Sequence, residues 1–389
     1  MTLDKIVEKN KDYVINLRRE FHKNPEPSFQ EFNTCKRIKE ELDKMNIDYI
    51  SCTETGVVAT IKGNHPGKTI ALRADMDALS VEELNTFEYK SQVKDMMHAC
   101  GHDGHTSMLL GAAKVLNKKR DEIHGTVKLF FQPAEEIGQG AKAMIEEGCM
   151  EGVDSVFGIH LWSGIECGQI SVEEGPRMAS ADWFEIKVKG KGGHGSAPHE
   201  CVDALVVASS IVMNLQNIVS RQVNPLEPLV LTIGQLHSGT RFNVIAENAV
   251  LEGTTRCFNK ELRENLPNMM EKIINRIADG FCADASLEYK FLLAPTINDK
   301  DCSKIAESTA KNIVGEENVI HFEKITGGED ISYFLDKAPG VLAFVGCKNE
   351  EKGACHSHHS GHFNIDEDSL EIGTKLYVNY ALDYLNSNK

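Results

Sequence analysis

Residues 97–105 read MHACGHDGH, which puts His98, Cys100, His102 and His105 within nine positions. Imidazole and thiolate are the usual protein donors to zinc and to its neighbours in the first transition row. Other candidate donors recur along the chain. Glu135 and Glu136 close QPAEE, and His160 stands in GIHLW. His356, His358, His359 and His362 lie in CHSHHSGHF, and Asp75 and Asp77 in RADMDAL. Mixed sulfur, nitrogen and oxygen donors, if gathered in one place, suit a borderline divalent ion such as Zn²⁺, Mn²⁺, Co²⁺ or Ni²⁺.

Taken singly, each group has a plainer reading. Pro133 followed by two acids is how an ordinary helix begins, because Pro fits its first turn and acids complement its dipole. His160 among apolar residues reads as a core histidine, the tail histidines as a solvated loop, and Asp75 as a helix cap. What favours the joint reading is position, since four of these groups fall after predicted strands at one edge of a sheet.

The elements that must do the positioning follow from periodicity. Residues 56–63 (GVVATIKG), 68–79 (KTIALRADMDAL), 125–136 (GTVKLFFQPAEE) and 155–162 (SVFGIHLW) read as strands, the third running directly into a helix at EEIGQGAKAMIEEG. Residues 105–123 have helical spacing, and Ile6, Val7, Val14, Leu17 and Phe21 fit one face of an N-terminal helix. Strands alternating with helices predict a mostly parallel α/β sheet, whose sites form at the carboxyl ends of its strands. Near Ala181 the pattern changes to strand, helix, two strands, helix, strand, a split βαβ or ferredoxin-like α+β unit. The predicted organisation is an α/β domain over 1–180 and 294–389, interrupted by an inserted domain over 181–293.

Composition limits the function classes. A chain of 389 residues is long for one core, and 41% hydrophobic with 26% charged residues is ordinary for a globular protein. A formal net charge of −16 argues against a nucleic-acid partner, which needs clustered Lys and Arg. No unbroken apolar stretch resembles a signal peptide or a membrane span, so a cytoplasmic protein without a membrane partner is expected. Eleven scattered cysteines, an odd number, do not form a secreted disulfide framework.

RADMDAL, MHACGHDGHT, QPAEE, GIH, GGHGSAPH, NVI…EGTTR and HHSGHF together resemble the signatures of the dinuclear metallo-amidohydrolases. That family includes aminoacylases, hippurate hydrolases and indole-3-acetyl-amino-acid hydrolases, with carboxypeptidase relatives. REFHKNPEPSFQE and TGGEDISYF extend the match towards both ends, in order. The resemblance implies two divalent ions per subunit, Zn²⁺ or Mn²⁺ before Co²⁺ or Ni²⁺, held by Cys100, His102, Glu136, His160 and His359. It implies that Glu135 takes the proton of the attacking water, and that His98 and His105 pack or hydrogen-bond nearby. Asp75, Asp77 and Asp103 become candidates to orient ligand histidines, with helix capping an equal alternative for Asp103. The inserted domain becomes a lid and dimerisation domain, which makes a homodimer the expected assembly. Its His194 matches the histidine that stabilises the tetrahedral oxyanion, from the partner subunit in several members. Asn243 and Arg256 match residues that hold the substrate's α-carboxylate, a role that suits a guanidinium fork.

The chain departs from the pattern at Ser80 and Ala246, where relatives carry proline, and at Arg241, Ile331, Gly361 and His362. None of these removes a ligand or the base; Arg241 and His362 bear on substrate range rather than on the chemistry. The expected activity is metal-dependent hydrolysis of a linear N-acyl or N-aroyl amino acid to a carboxylic acid and a free amino acid. A metallo-carboxypeptidase or dipeptidase is the close alternative. An inactive metal-binding regulator and a thiol-rich metal buffer are the alternatives from other classes.

Overall fold

The computed structural model describes residues 3–387. The chain divides into two compact units, one of residues 1–175, 297–323 and 330–389, the other of 176–296 and 324–329.

The first unit is built on a seven-stranded sheet. Four strands form its parallel centre in the order His124–Gln132, His65–Asp75, Ser155–Glu166 and Gly340–Lys348. Antiparallel strands Gly56–Lys62 and Asp48–Cys52 extend one side, and Ile170–Ser171 closes the other. The central strands each carry a long buried stretch, because helices cover both faces of a parallel sheet. Gly340–Lys348 is buried over its first eight residues. Helix Asp368–Ser387 packs on helices His102–Lys118 and Lys300–Val314. The single amphipathic helix expected at the N-terminus is instead two, Leu3–Glu8 and Lys11–Lys23. At the break, the Asn10 side-chain amide donates to the Ile6 carbonyl, 2.7 Å away.

Register sets the level of the site. Asp75 pairs with Gln132, and Arg73 pairs with Gly158, so His160 stands level with Asp75 at the carboxyl edge. Beneath that edge lies a buried polar knot. Arg73 donates to Asp75 (2.7 Å), to Gln132 (2.7 Å) and to Asp330 (2.9 Å), and it is 1% exposed. Removing one member of such a group leaves unpaired charge in the core. Arg73→Met is therefore expected to destabilise the chain by about 3–5 kcal/mol, measured by chemical denaturation.

The second unit is a four-stranded antiparallel sheet, ordered Leu229–Ser238, Asn248–Cys257, Ala181–Lys189 and Asp284–Leu293. Helices Ala204–Asn217 and Lys260–Gly280 supply the other half of its core, through Val207, Ile211 and Leu215 and through Leu266, Met270 and Ile274. Chain order and sheet order together are those of a split βαβ unit. Among the described residues, no helix is long and apolar enough to cross a membrane.

Candidate metal centre

The segment after strand His124–Gln132 does not enter a helix at Glu135. Residues 133–139 form a turn, and helix Gly140–Glu146 starts later. Two features impose this. Ala134 adopts a left-handed backbone (φ 55°), and Gly140 lies so close that a Cβ there would sit 1.6 Å from the Pro133 carbonyl oxygen. The turn is then gripped from below. The two oxygens of the Asp77 carboxylate accept the backbone N–H groups of Glu135 and Glu136, each at 3.1 Å. Both glutamates are fixed at the sheet edge by their main chain, leaving their carboxylates for other tasks.

Cys100 and His102 straddle Gly101, whose φ of 90° turns the chain into helix His102–Lys118. His102 Nδ1 donates to the Asp77 backbone carbonyl (2.9 Å), and His160 Nδ1 donates to the Leu161 carbonyl (2.7 Å). Such bonds fix the tautomer and present the Nε2 lone pair of each ring. His160 Nε2 lies 3.6 Å from Cys100 Sγ. His102 Nε2 lies 3.8 Å from Glu136 and 3.9 Å from Glu135. His359, also left-handed (φ 64°), anchors its N–H on the Ala99 carbonyl (2.9 Å) and brings Nε2 to 3.6 Å from Glu136. Three donor sets, Cys100/His102/His160, Cys100/Glu136/His359 and His102/Glu135/Glu136, each have ligand atoms within 4.8 Å of one another.

These residues fit a divalent ion. His102 Nε2 and Glu136 Oε1 are buried without a hydrogen-bond partner, in a protein interior where that is costly. Sulfur and nitrogen donors on one tetrahedral ion stand about 3.6 Å apart given ordinary zinc bond lengths. The separation of Cys100 from His160 is that value. Electrostatics agree. Burial opposes a charge on His102, but Asp75, Asp77 and Cys100 outweigh it and raise the imidazole well above the ordinary range. Burial, against the pull of His102 and with Asp77 and Asp75 adding repulsion, lifts the Glu136 carboxyl to about 7. Burial, then Glu136, pushes the Cys100 thiol well up. A pocket in which anions are this costly favours a cation among them. Burial, helped by His105 and His358, keeps His160 neutral, the form in which imidazole binds metal.

The remaining acids and histidines separate by contact. Asp75 accepts from His105 Nδ1 (2.6 Å), while His105 Nε2 accepts the Leu161 N–H (2.8 Å) and so braces the strand that carries His160. Asp103 faces away from the donor cluster and meets Arg18 (2.8 Å) and His22 (2.7 Å). His98 is buried and unbonded, and its burial lowers it to about 4. His358 stacks on Trp162 with ring centroids 4.5 Å apart, and its Nε2 donates to Leu161 (3.0 Å). His356 and His362 are exposed.

In the second unit, His194 and Asn243 lie together. Val244–Ile245 pairs with Gly193–His194, and the Asn243 carbonyl accepts the Gly195 N–H (2.9 Å). His194 is exposed, and its Nδ1 accepts the Ser196 N–H (3.1 Å), which leaves the ring proton on Nε2. Arg256, on strand Asn248–Cys257, is half-buried and donates to the Thr254 hydroxyl (3.2 Å); burial lowers its guanidinium.

The model of peptidase family M20/M25/M40 matches residues 71–383. The chain belongs to that family. Among curated M20-like relatives, thermostable carboxypeptidase 2 of Saccharolobus solfataricus is 42% identical, over 98% of this chain and 97% of the relative. N-acetylcysteine deacetylase of Bacillus subtilis is 39% identical, over 97% and 98%. The crystal structure of the Bacillus subtilis YXEP protein, described as a dinuclear metal-binding peptidase of family M20, superposes with a TM-score of 0.87. It is 36% identical, with 97% of this chain and 99% of that one covered. The M20 chain is thus a hydrolase of amidohydrolase or peptidase type.

Arg73, Gln132, Asp330 and Glu31 also support the candidate site, though no motif in the sequence gives them a role. A signal existed for the first two. Arg73 interrupts IALRAD and Gln132 interrupts LFFQP, polar residues within apolar strand runs. Glu31 and Asp330 come from segments far from the donors in sequence, and only the fold brings them beneath the edge.

Proposed function

We propose that the protein hydrolyses the amide bond of N-acyl amino acids, such as N-acetyl or N-benzoyl derivatives, to a carboxylic acid and a free amino acid. One observation carries the metal-dependent hydrolysis: the unpartnered, buried His102 Nε2 and Glu136 Oε1 face Cys100, His160 and His359, with Glu135 alongside; the likeness to an N-acetylcysteine deacetylase supports the N-acyl substrate. Cys100, His102, Glu136, His160 and His359 would hold two divalent ions, Zn²⁺ or Mn²⁺ by donor type. When bound, such ions polarise the amide carbonyl and acidify a water.

The chain's own groups supply the proton transfers. Glu135 accepts the proton as the water oxygen bonds to the amide carbon. It then delivers that proton to the nitrogen as the carbon–nitrogen bond breaks, so the amine leaves neutral. Asp77 holds the Glu135 main chain in reach. In this reading the second unit is a lid and dimerisation domain of a cytoplasmic homodimer. His194 donates Nε2–H to the developing oxyanion, while Arg256 and Asn243 hold the α-carboxylate.

His194→Ala is expected to lower kcat by roughly 10²–10³ with metal content unchanged. Arg256→Ala, which removes a contact made in ground and transition states alike, should mainly raise KM. Mixing inactive His194→Ala chains with inactive Glu135→Gln chains tests action between subunits. Returned activity means that one hybrid site holds both intact groups; no return means that His194 acts within its own chain.

A second reading, release of a C-terminal amino acid from a peptide, draws support from the 42% identity to a carboxypeptidase. Amine release from N-acetyl and N-benzoyl amino acids, compared with dipeptides and blocked peptides, separates the two. Turnover confined to peptides would replace the first reading with the second.

A further inference from the structure

Glu31 is fully buried, and its carboxylate meets three donors. Oε1 accepts the N–H of Phe29 (3.0 Å) and of Ala134 (2.9 Å), and Oε2 accepts the Thr55 hydroxyl (2.7 Å). Ala134 directly precedes Glu135, and it holds a left-handed backbone without being glycine. Such a conformation is unfavourable for a residue with a Cβ, and it persists only where neighbours enforce it. The Ala134 N–H is one enforcing contact, and the Asp77 carboxylate takes the next two N–H groups, of Glu135 and Glu136. Three consecutive main-chain donors are therefore held by two buried carboxylates from separate parts of the chain.

We propose that Glu31 is a positioning residue for the Glu135–Glu136 pair: by fixing Ala134 it sets the turn that gives the two adjacent glutamates different environments. If residue 134 relaxed towards the helical region, the chain could begin a helix at Pro133, and successive side chains would then point about 100° apart around its axis. The grip of Asp77 on both N–H groups would be lost with it. The Glu31 carboxylate meets Phe29, Thr55 and Ala134 and none of the candidate donors, so it acts through the turn. This inference rests on the ligand and base assignment proposed above.

The test compares Glu31→Gln, Glu31→Ala and Thr55→Val in the full-length protein. Glutamine keeps an oxygen for the two N–H groups, and its amide can donate to the Thr55 hydroxyl, which turns to accept. Glu31→Gln should stay within about threefold of wild type in kcat and in Zn²⁺ and Mn²⁺ dissociation constants, read by competition with a chelating dye. Glu31→Ala should weaken metal binding by roughly 10–100-fold and lower kcat at saturating metal, with KM little changed. Thr55→Val removes the donor that does not belong to the turn, so it should lower thermal stability and leave metal affinity alone. Where Glu31→Ala fails to fold, Glu31→Asp is read instead; it keeps the charge, withdraws the carboxylate by one methylene, and should weaken metal binding in the same direction. Wild-type metal affinity in the folded alanine or aspartate variant, with only thermal stability reduced, overturns the inference alone. Absence of metal binding by the wild type overturns the proposed function and this inference with it.

Discussion

Replacing Glu135 with glutamine is expected to lower kcat by roughly 10²–10⁴ while leaving metal content intact. Glutamine nearly matches glutamate in shape, so Asp77 should still hold the main chain at 3.1 Å and the neighbouring donors should stay in place. What disappears is the capacity to accept a proton. Glu136→Gln is the contrasting variant. Its carboxylate lies 3.8 Å from His102 Nε2 and 3.6 Å from His359 Nε2, between two ring donors, so its loss should lower metal occupancy first and turnover as a consequence. Elemental analysis alongside steady-state kinetics checks both. Equal loss of metal in the two variants would show that the division into base and ligand is wrong.

Removing metal should have an effect as large. Chelation is expected to abolish turnover, and Mn²⁺, Co²⁺ or Zn²⁺ to restore it, with about two ions bound per active chain. Stability should move with it, because an ion that binds only the folded chain contributes about 4 kcal/mol at a thousand times its dissociation constant. Thermal unfolding of chelated and reloaded protein reads that difference. Cys100→Ser should fold, since the thiol is already buried and uncharged in preference, but bind metal more weakly because a hydroxyl is a poor substitute for thiolate. A fully active preparation with no metal would contradict the whole scheme.

Part of the candidate site is legible in sequence where a residue stands beside a feature that periodicity can find. Asp75 ends an apolar strand run, His160 lies within one, and Cys100 and His102 precede a run with helical spacing. The turn at Glu135 was not legible, for a physical reason. Proline followed by acids is a good helix start by local preference, and that preference is overridden by a distant contact, of Glu31 with Ala134, and by the close approach of Gly140 to Pro133 within the turn itself. Asp103 was misleading in the opposite way. Adjacent to His102 in sequence, it turns instead to Arg18 and His22 on the N-terminal helix, because successive residues of a helix point to different sides. The tail histidines show the same limit. Spacing alone does not separate His359, brought to Glu136 by a left-handed backbone, from His358, which stacks on Trp162.

The strand Gly340–Lys348 lies in the parallel centre of the seven-stranded sheet, yet the chain makes it only after the whole second unit. During synthesis the second unit has all but a short segment of its residues in one run and can assemble early. The first unit waits, with Ser155–Glu166 holding an unpaired edge until its partner emerges, and with His359 later still. A nascent chain halted before residue 340 therefore exposes the edge of the largely buried strand Ser155–Glu166, the kind of surface that recruits chaperones or pairs with other copies. The order of synthesis thus makes closure of the sheet and completion of the donor set nearly the same late event.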